Sequence, residues 1–565
     1  MAVSAAAAAR AARARGATWV PSDRVTHRRG HWQGSRRGLL GFAGAGGLLL
    51  LARGTRAFAR SGAASLLGNL RIANGGRPFA GDRALLATVG STEPTAHLSF
   101  TLARRATVSL AILETGQGAA SEQPTKGAEG TLRTSRTVLA AGRHTLDWTP
   151  ASTLAPRTYI ARISARSLDG KVETKQAVVR LLGVDAAFSE RSAAPGTEAT
   201  LVVRTDARAL TVQIVRSGPE TEPTYANNEI KGVAVGAPFQ VDWSQNIGTP
   251  AAVPVAVGSD WPSGVYAAQI TADDGRRGYA PLIVRPASPQ VRVAVVMPTS
   301  TWAAYNFYDA DGDGWGDTWY AHWRTNQVDL TRPHSTYGVP YRYRSYDLGF
   351  QHWLAQAGKR ADLMSDEDLE LFTPADLRAA YDLLVFPGHT EYVTAHVFDL
   401  VEAFRDKGGN LMFLAANNFF RKITRKDQRQ TLVDEWRDLG RPESALLGNQ
   451  YVASDRGQRR APFTVVGADV APWAFEGTGL TNGSTFGLYG IEIDARSAAS
   501  PVSTQVLATI PDLFGPGRTA EMTYYEHWSG AKVFSAGALD FGGQMLLWPA
   551  TQRIVENVWS RLAPG

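Results

Sequence analysis

Residues 291–320, VRVAVVMPTSTWAAYNFYDADGDGWGDTWY, join an apolar run to an acidic and aromatic one. Val291 to Met297 has the length and β-branched content of a buried strand. Two tyrosines, Tyr305 and Tyr308, come just after it, and then Asp309, Asp311, Asp313 and Asp317 alternate with glycines. Carboxylates so closely spaced repel one another unless a cation neutralises them. The order D-x-D-x-D-G-x-x-D, with Gly314 at the sharp turn, is that of a calcium loop. Position twelve is Tyr320 instead of the usual Glu, so a bidentate ligand would have to come from elsewhere, with Asp329 as a candidate. A solvated acidic turn and direct catalytic use are the alternatives.

Beyond Pro289 the pattern alternates strand and helix. Leu383–Phe386 reads as a strand, Thr394 caps a helix that ends at Lys407-Gly408-Gly409, and Leu411–Ala415 is the next strand. Tyr346–Ala357 and Pro374–Ala380 read as further helices, the second with Thr373 at N-cap and Pro at N1. Such alternation predicts a doubly wound α/β domain with a mostly parallel sheet, over 288–565. Ligands of these sheets bind outside the carboxyl ends of the strands. The segments 302–308, 388–392 and 417–419 each follow a strand, so all three are expected at one edge.

Between residues 78 and 287 the runs are short and alternating, with Gly, Pro and Asp turns, as in β-sandwiches. A weak repeat, Thr145-Leu-Asp-Trp148 and Gln240-Val-Asp-Trp243, each followed by a Tyr-led strand and Asp-Gly, divides them into two domains, 78–184 and 185–287. Trp148 and Trp243 are expected in the cores. The first unit resembles Ig-like modules of the flagellar hook-cap type. Residues 60–77 read as a linker.

The chain carries a net +7, but residues 1–59 hold ten Arg and one Asp, a net of +9, which leaves the rest at −2. A nucleic-acid partner therefore has no support. Arg36-Arg37, the apolar Gly/Ala-rich segment to Ala52 and Ala57-Phe58-Ala59 read as a twin-arginine export signal with its cleavage site, or as an uncleaved anchor. After cleavage no membrane span is expected. The chain has no cysteine, which excludes disulfides, a Cys nucleophile, zinc–thiolate sites and iron–sulfur clusters.

His389 and Glu391 flank Thr390 in a strand-to-helix turn, a pairing suited to metal ligation or general-base work. Glu391 would alternatively stabilise the positive end of the following helix. Asn417 and Asn418 end a strand. There is no G-x-S-x-G elbow in the C-terminal domain, and no Walker loop or H-E-x-x-H motif.

Ala303-Ala-Tyr-Asn306, Tyr308-Asp309, Arg332-Pro333, Ser345-Tyr-Asp347, Gly388-His-Thr-Glu-Tyr392 and Gly408–Asn417 occur in that order. Together they resemble the C-terminal domain of the N,N-dimethylformamidase large (β) subunit family, over roughly 290–560. The resemblance implies a class I glutamine-amidotransferase-like fold without its cysteine triad. It also implies a mononuclear ferric (Fe3+) site of two tyrosinates and a glutamate, acting on a small amide beside a small second subunit. Residue by residue, Tyr305, Tyr308 and Glu391 match the iron ligands, and His389, Asn417 and Glu526 match further active-site positions. The expectation is an exported amide hydrolase; the alternative is a non-catalytic secreted binding protein with a calcium-stabilised loop.

Overall fold

The structure, a computed structural model, describes residues 65–563 apart from 74–77, 80–82, 88–94, 115–130, 152–153, 155, 157, 223, 225, 311–315, 321–324, 336 and 456. The leader at 1–59 lies outside the described residues. Within them the chain is mostly β-sheet with few helices, divided among several sheets and cores. Among the described residues no helix is long and apolar enough to cross a membrane.

The first core lies between a three-stranded sheet (Leu67–Ala73, Ala96–Leu102, Gly142–Trp148) and a six-stranded one containing Ala106–Glu114, Thr158–Ser167 and Val172–Leu182. Leu98 and Phe100 from one sheet meet Val108, Leu110, Ile163 and Val179 from the other, with Trp148 buried among them. Leu67–Ala73 falls inside the stretch expected to be a linker. It forms a strand because Leu67 and Ile72 are buried in this core while its backbone pairs with Ala96–Leu102.

Strand Gly264–Ala272 shows how the middle of the chain is joined to its end. Successive strand side chains point to opposite faces. Tyr266, Ala268 and Ile270 enter a second core with Trp243, Leu201 and Val212. Val265 and Ala267 enter a different one with Val295, Met297, Trp302 and Phe350. The five-stranded sheet is thus buried on both faces along this strand, and one of those faces is the bed on which the C-terminal region rests.

That region is built on a nine-stranded sheet. In chain order its strands are β1 (Val293–Met297), β2 (Asp362–Ser365), β3 (Leu383–Phe386), β4 (Asn410–Phe413), β5 (Arg460–Val465), β6 (Thr485–Gly490), β7 (Gln505–Ile510), β8 (Ala520–Glu526) and β9 (Lys532–Ser535). The order across the sheet is β2-β1-β3-β4-β9-β8-β7-β5-β6. The pairs from β2 to β9 are parallel and those from β9 to β6 antiparallel. The sheet is therefore mixed, where the sequence predicted it mostly parallel. The difference comes from 460–526, a set of antiparallel strands that lacks intervening α-helices.

The helices that bear on the site are α1 (Thr299–Ala304), α2 (Leu348–Gln356), α3 (Pro374–Ala380) and α4 (Ala395–Asp406). Thr373 and Thr394 cap α3 and α4 through their hydroxyls, which accept from the Asp376 and Val397 N–H groups. The single helix expected from Tyr346 is broken at Asp347 into a turn over Tyr343–Tyr346 and α2.

Candidate functional site

Helix α1 leaves the carboxyl end of β1 and stops at Tyr305, whose N–H donates to the Thr301 carbonyl at 2.9 Å. The chain then folds back on itself. Trp319 N–H and the Thr318 hydroxyl both bond the Ala304 carbonyl, at 3.0 and 2.9 Å. Arg332 holds this turn from inside. Its guanidinium donates to the carbonyls of Ala303, Tyr308, Asp317 and Asp329 at 2.7–3.2 Å, with its side chain 5% exposed. Asn306 adds a second clamp, accepting from the Tyr308 and Ser335 N–H groups and donating to the Pro333 carbonyl. The position of Tyr305 is thus set by a buried polar frame.

The segments after β3 and β4 arrive at the same edge, as expected of their topology. Glu391 N–H donates to Thr301 Oγ1 at 3.0 Å, and Thr390 N–H to Asn418 Oδ1 at 3.0 Å. Phe419 N–H donates to the Thr390 carbonyl at 2.7 Å. Asn417 and Phe419 both adopt φ of 56°, the left-handed conformation that Asn tolerates and Phe rarely adopts. Backbone strain therefore sits where the side chains converge.

Four of those side chains form the centre. Tyr305 Oη donates to Glu391 Oε2 at 2.6 Å. His389 Nε2 lies 3.5 Å from Glu391 Oε2 and 3.6 Å from Glu492 Oε2, with no hydrogen-bond partner of its own. Its ring is also bonded to the Asn417 backbone. Asn417 Nδ2–H donates to Glu492 Oε2 at 2.8 Å, and its N–H to Asp494 Oδ1 at 2.8 Å. Tyr392 adds a second hydroxyl on Glu391.

The centre is buried, and the electrostatics follow. Burial raises the Glu391 carboxyl; it raises Glu492 as well, with repulsion from Glu391 adding to the shift. Burial also raises the Tyr305 phenol far above its ordinary value and lowers His389 to about 3. The imidazole is thus neutral at neutral pH. With the ring's other nitrogen donating to Asn417, Nε2 presents a lone pair to two carboxyl oxygens. Three acceptors facing one another need a proton or a cation between them.

Behind Asn417, burial pushes Asp494 up to about 8, with Glu443 adding repulsion. A carboxyl raised in the fold costs stability once ionised, so this cost grows as pH rises from about 4 to about 8. Asp494→Asn keeps an acceptor for Asn417 and removes the charge. The variant is expected to gain at least about 1.4 kcal/mol over wild type between pH 5 and pH 8 in chemical denaturation, one unit's worth of the shift. An equal difference at both pH values contradicts the assignment.

Tyr305, Glu391, His389 and Asn417 are brought together; two other sequence candidates are not. Tyr308 Oη donates to Asp185 Oδ2 at 2.9 Å, and the Arg180 guanidinium lies over its ring at 4.7 Å. It anchors the loop on the N-terminal sheets and does not stand beside Glu391. Glu526 ends β8 opposite Lys532, the start of β9, and bonds Tyr524 and Arg561 on the surface. Since β9 runs parallel to β4, that end of β8 is the sheet edge away from the site. Of the aspartates, Asp309 accepts from Thr158 Oγ1 at 3.2 Å and Asp317 from the Ala310 N–H at 2.9 Å; Asp311 and Asp313 lie outside the described residues. Among the described residues no group of three or more His, Asp and Glu side chains is arranged to hold a metal by itself.

Glu492 and Asp494 were not expected. They come from strand Glu492–Ala495, which the bridge of Ile493 to Ala538 holds just past the carboxyl end of β9. The signal was present in Gly490-Ile-Glu-Ile-Asp494, where two acids alternate with isoleucine and so share the face opposite the apolar one.

The fold and its buried phenol, carboxylate and imidazole centre define a multidomain protein with a polar site at the carboxyl edge of a mixed sheet. The family described as N,N-dimethylformamidase beta subunit-like, C-terminal, matches residues 221–553, and the chain belongs to it. The N,N-dimethylformamidase beta subunit of Paracoccus aminophilus is 28% identical over 176 residues. The match covers 31% of this chain and 22% of that protein. Among solved structures, Salmonella alpha-2-macroglobulin reacted with methylamine matches at 12% identity, covering 39% of this chain and 16% of that one, with a TM-score of 0.21. The native E. coli alpha-2-macroglobulin matches at 11% identity over the same shares, with a TM-score of 0.22. Likenesses this weak carry no argument.

Proposed function

We propose that the chain is an exported, metal-dependent hydrolase of an amide C–N bond. The observation that carries this is the buried Tyr305–Glu391 pair with the unpartnered His389 Nε2 at 3.5 Å, in a chain of the dimethylformamidase family. A ferric ion fits the donor set, since phenolate and carboxylate oxygens are hard ligands. Tyr305 and Glu391 would hold it, with Tyr392 as the second phenol in place of Tyr308. So strongly raised a phenol as Tyr305 ionises only when a cation takes its proton's place. When bound, the ion would polarise the amide carbonyl and acidify water.

The side chains around it supply the proton chemistry. His389 Nε2, neutral and unbonded, orients the attacking water as a hydrogen-bond acceptor, and the water's proton replaces the one Glu492 gives up. Glu492 holds one near neutral pH and passes it toward the departing amine. Asn417 fixes the Glu492 carboxyl. In this reading the paired sheets are Ig-like sandwiches and the nine-stranded sheet is an amidotransferase-like α/β domain. A small second subunit is a proposed partner, because the Paracoccus relative is named as a subunit.

The reading is tested by amine release from short amides, with the protein loaded with iron and after chelation. Iron-dependent release supports it; a loaded protein that hydrolyses none of them contradicts it. For the 309–317 loop we propose calcium on its D-x-D-x-D-G spacing alone. Calcium is expected to raise the melting temperature by a few degrees, and Asp311→Ala to abolish the rise; a melt indifferent to calcium removes the ion.

A further inference from the structure

The net −2 beyond the leader conceals an uneven distribution of charge. Residues 78–184 hold thirteen Lys and Arg against eight Asp and Glu, a net of +5. Residues 185–565 hold thirty-three against forty-three, a net of −10. The first two-sheet unit is thus the cationic part of an otherwise anionic chain, and such asymmetry points to a partner surface of negative sign.

Strand registers gather three turns at one end of this unit. Leu102 pairs with Leu67 and with Gly142, and Ala106 pairs with Leu139 and with Ser167. The turns at 103–105, 140–141 and 168–171 therefore lie together, beside Ser65. Only residues 53–64 separate Ser65 from the apolar segment of the leader, so a leader left uncleaved is rooted at this same end. Both acids here are already engaged. Asp169 pairs with Arg104 at 2.8 Å, and Glu173 pairs with Lys171 at 3.0 Å and accepts from the Ser65 hydroxyl and the Leu67 N–H. Arg105, Arg143 and Arg166 are exposed and make no ion pair among the described residues.

The turn at 168–171 is closed by its own backbone. Ser167 N–H donates to the Lys171 carbonyl and Gly170 N–H to that of Ser167, both at 3.0 Å, with Gly170 at φ 84°. Nothing in this turn requires an apolar side chain, yet its tip is Leu168, 91% exposed. Just behind it Val138, Thr107, Arg166 and Val172 form one cross-strand row, with the two valines 56% and 48% exposed. Apolar side chains ringed by cations suit a bilayer surface, where the former enter the headgroup boundary and the latter meet anionic lipid. A soluble polyanion would use the arginines and leave Leu168 in water.

We propose that this end of the first unit rests on an anionic lipid bilayer, with Leu168 in the headgroup layer and Arg105, Arg143 and Arg166 around it. The net −10 of residues 185–565 is repelled by the same surface, which turns the cationic end toward the lipid. The contact is independent of the amide-hydrolase reading.

The test is flotation of the full chain with phosphatidylcholine vesicles, with and without about a quarter of phosphatidylglycerol. The basic leader contributes equally to every variant, so the differences between variants decide. The double variant Arg105→Gln, Arg166→Gln is expected to bind the anionic vesicles at least about tenfold more weakly, at about fivefold per charge. Leu168→Gln is expected to lose about tenfold through its apolar area. The control Lys426→Gln, Arg518→Gln removes two exposed charges from the C-terminal region and should stay within about twofold of wild type. All five side chains are exposed, so each variant should melt with wild type. Losses no larger than in the control, or equal flotation of wild type with both vesicles or with neither, overturn the proposal. A weakened arginine pair beside an unaltered Leu168→Gln also overturns it, and assigns this end to a soluble polyanion held by charge alone.

Discussion

Glu391→Gln is expected to lower amide hydrolysis by about a thousandfold or more while the protein stays folded. Glutamine keeps an acceptor for Tyr305 Oη, so the 2.6 Å contact survives as a neutral hydrogen bond. What is lost is the negative charge and the basicity, and removing a single preorganised group of this kind typically costs two to four orders of magnitude in rate. Stability should move the other way. Burial raises the Glu391 carboxyl, so its ionised form weakens the native state, and that penalty appears as pH rises above the ordinary carboxyl range. In the iron-free protein the variant should therefore melt at the same temperature or higher at pH 8. A variant that keeps more than about a tenth of wild-type turnover would show that Glu391 is not in the machinery.

Arg332→Leu is expected to destabilise the protein by about 4 kcal/mol or more, among the largest effects of any single change. The guanidinium satisfies four carbonyls, from Ala303, Tyr308, Asp317 and Asp329, and leucine satisfies none of them. The Asp317 and Asp329 carbonyls lose this donor at about 1–3 kcal/mol each before relaxation, those of Ala303 and Tyr308 keep only 3.3 Å bonds from the Asn306 and Asp317 N–H groups, and the four share one cavity, so the sum is not additive. Arg332→Lys should fare little better, because a point ammonium cannot reproduce the planar fork. Because the frame sets Tyr305, any folded fraction should also lose activity. A drop of under about 1 kcal/mol in denaturant unfolding would mean that the loop is held by something other than Arg332.

What could be read from the sequence depended on how local the cause was. Leu383–Phe386, the Thr394 cap and the meeting of the three loops follow from apolar runs, a capping residue and the topology of parallel strands. Tyr305, Glu391, His389 and Asn417 lie on those loops and were found with them. Glu492 lies about a hundred residues after Glu391, on a short strand whose place is set by pairing and by one bridge to Ala538. No periodicity announces such a contact. Glu526 matches by motif, but the direction of β8 carries it to the sheet edge away from the site. Tyr308 departs from its motif match for a related reason, since the turn stapled by Arg332 sends it outward to Asp185. Asp347 reads as part of one continuous helix, which the structure breaks at that residue.

The most direct test of the account is the metal content and visible spectrum of the natively produced protein. Iron near one equivalent, with a tyrosinate-to-ferric charge-transfer band that is lost in Tyr305→Phe and retained in Tyr308→Phe, is the predicted result. A colourless, iron-free protein, or a band that depends on Tyr308 and not on Tyr305, would contradict it.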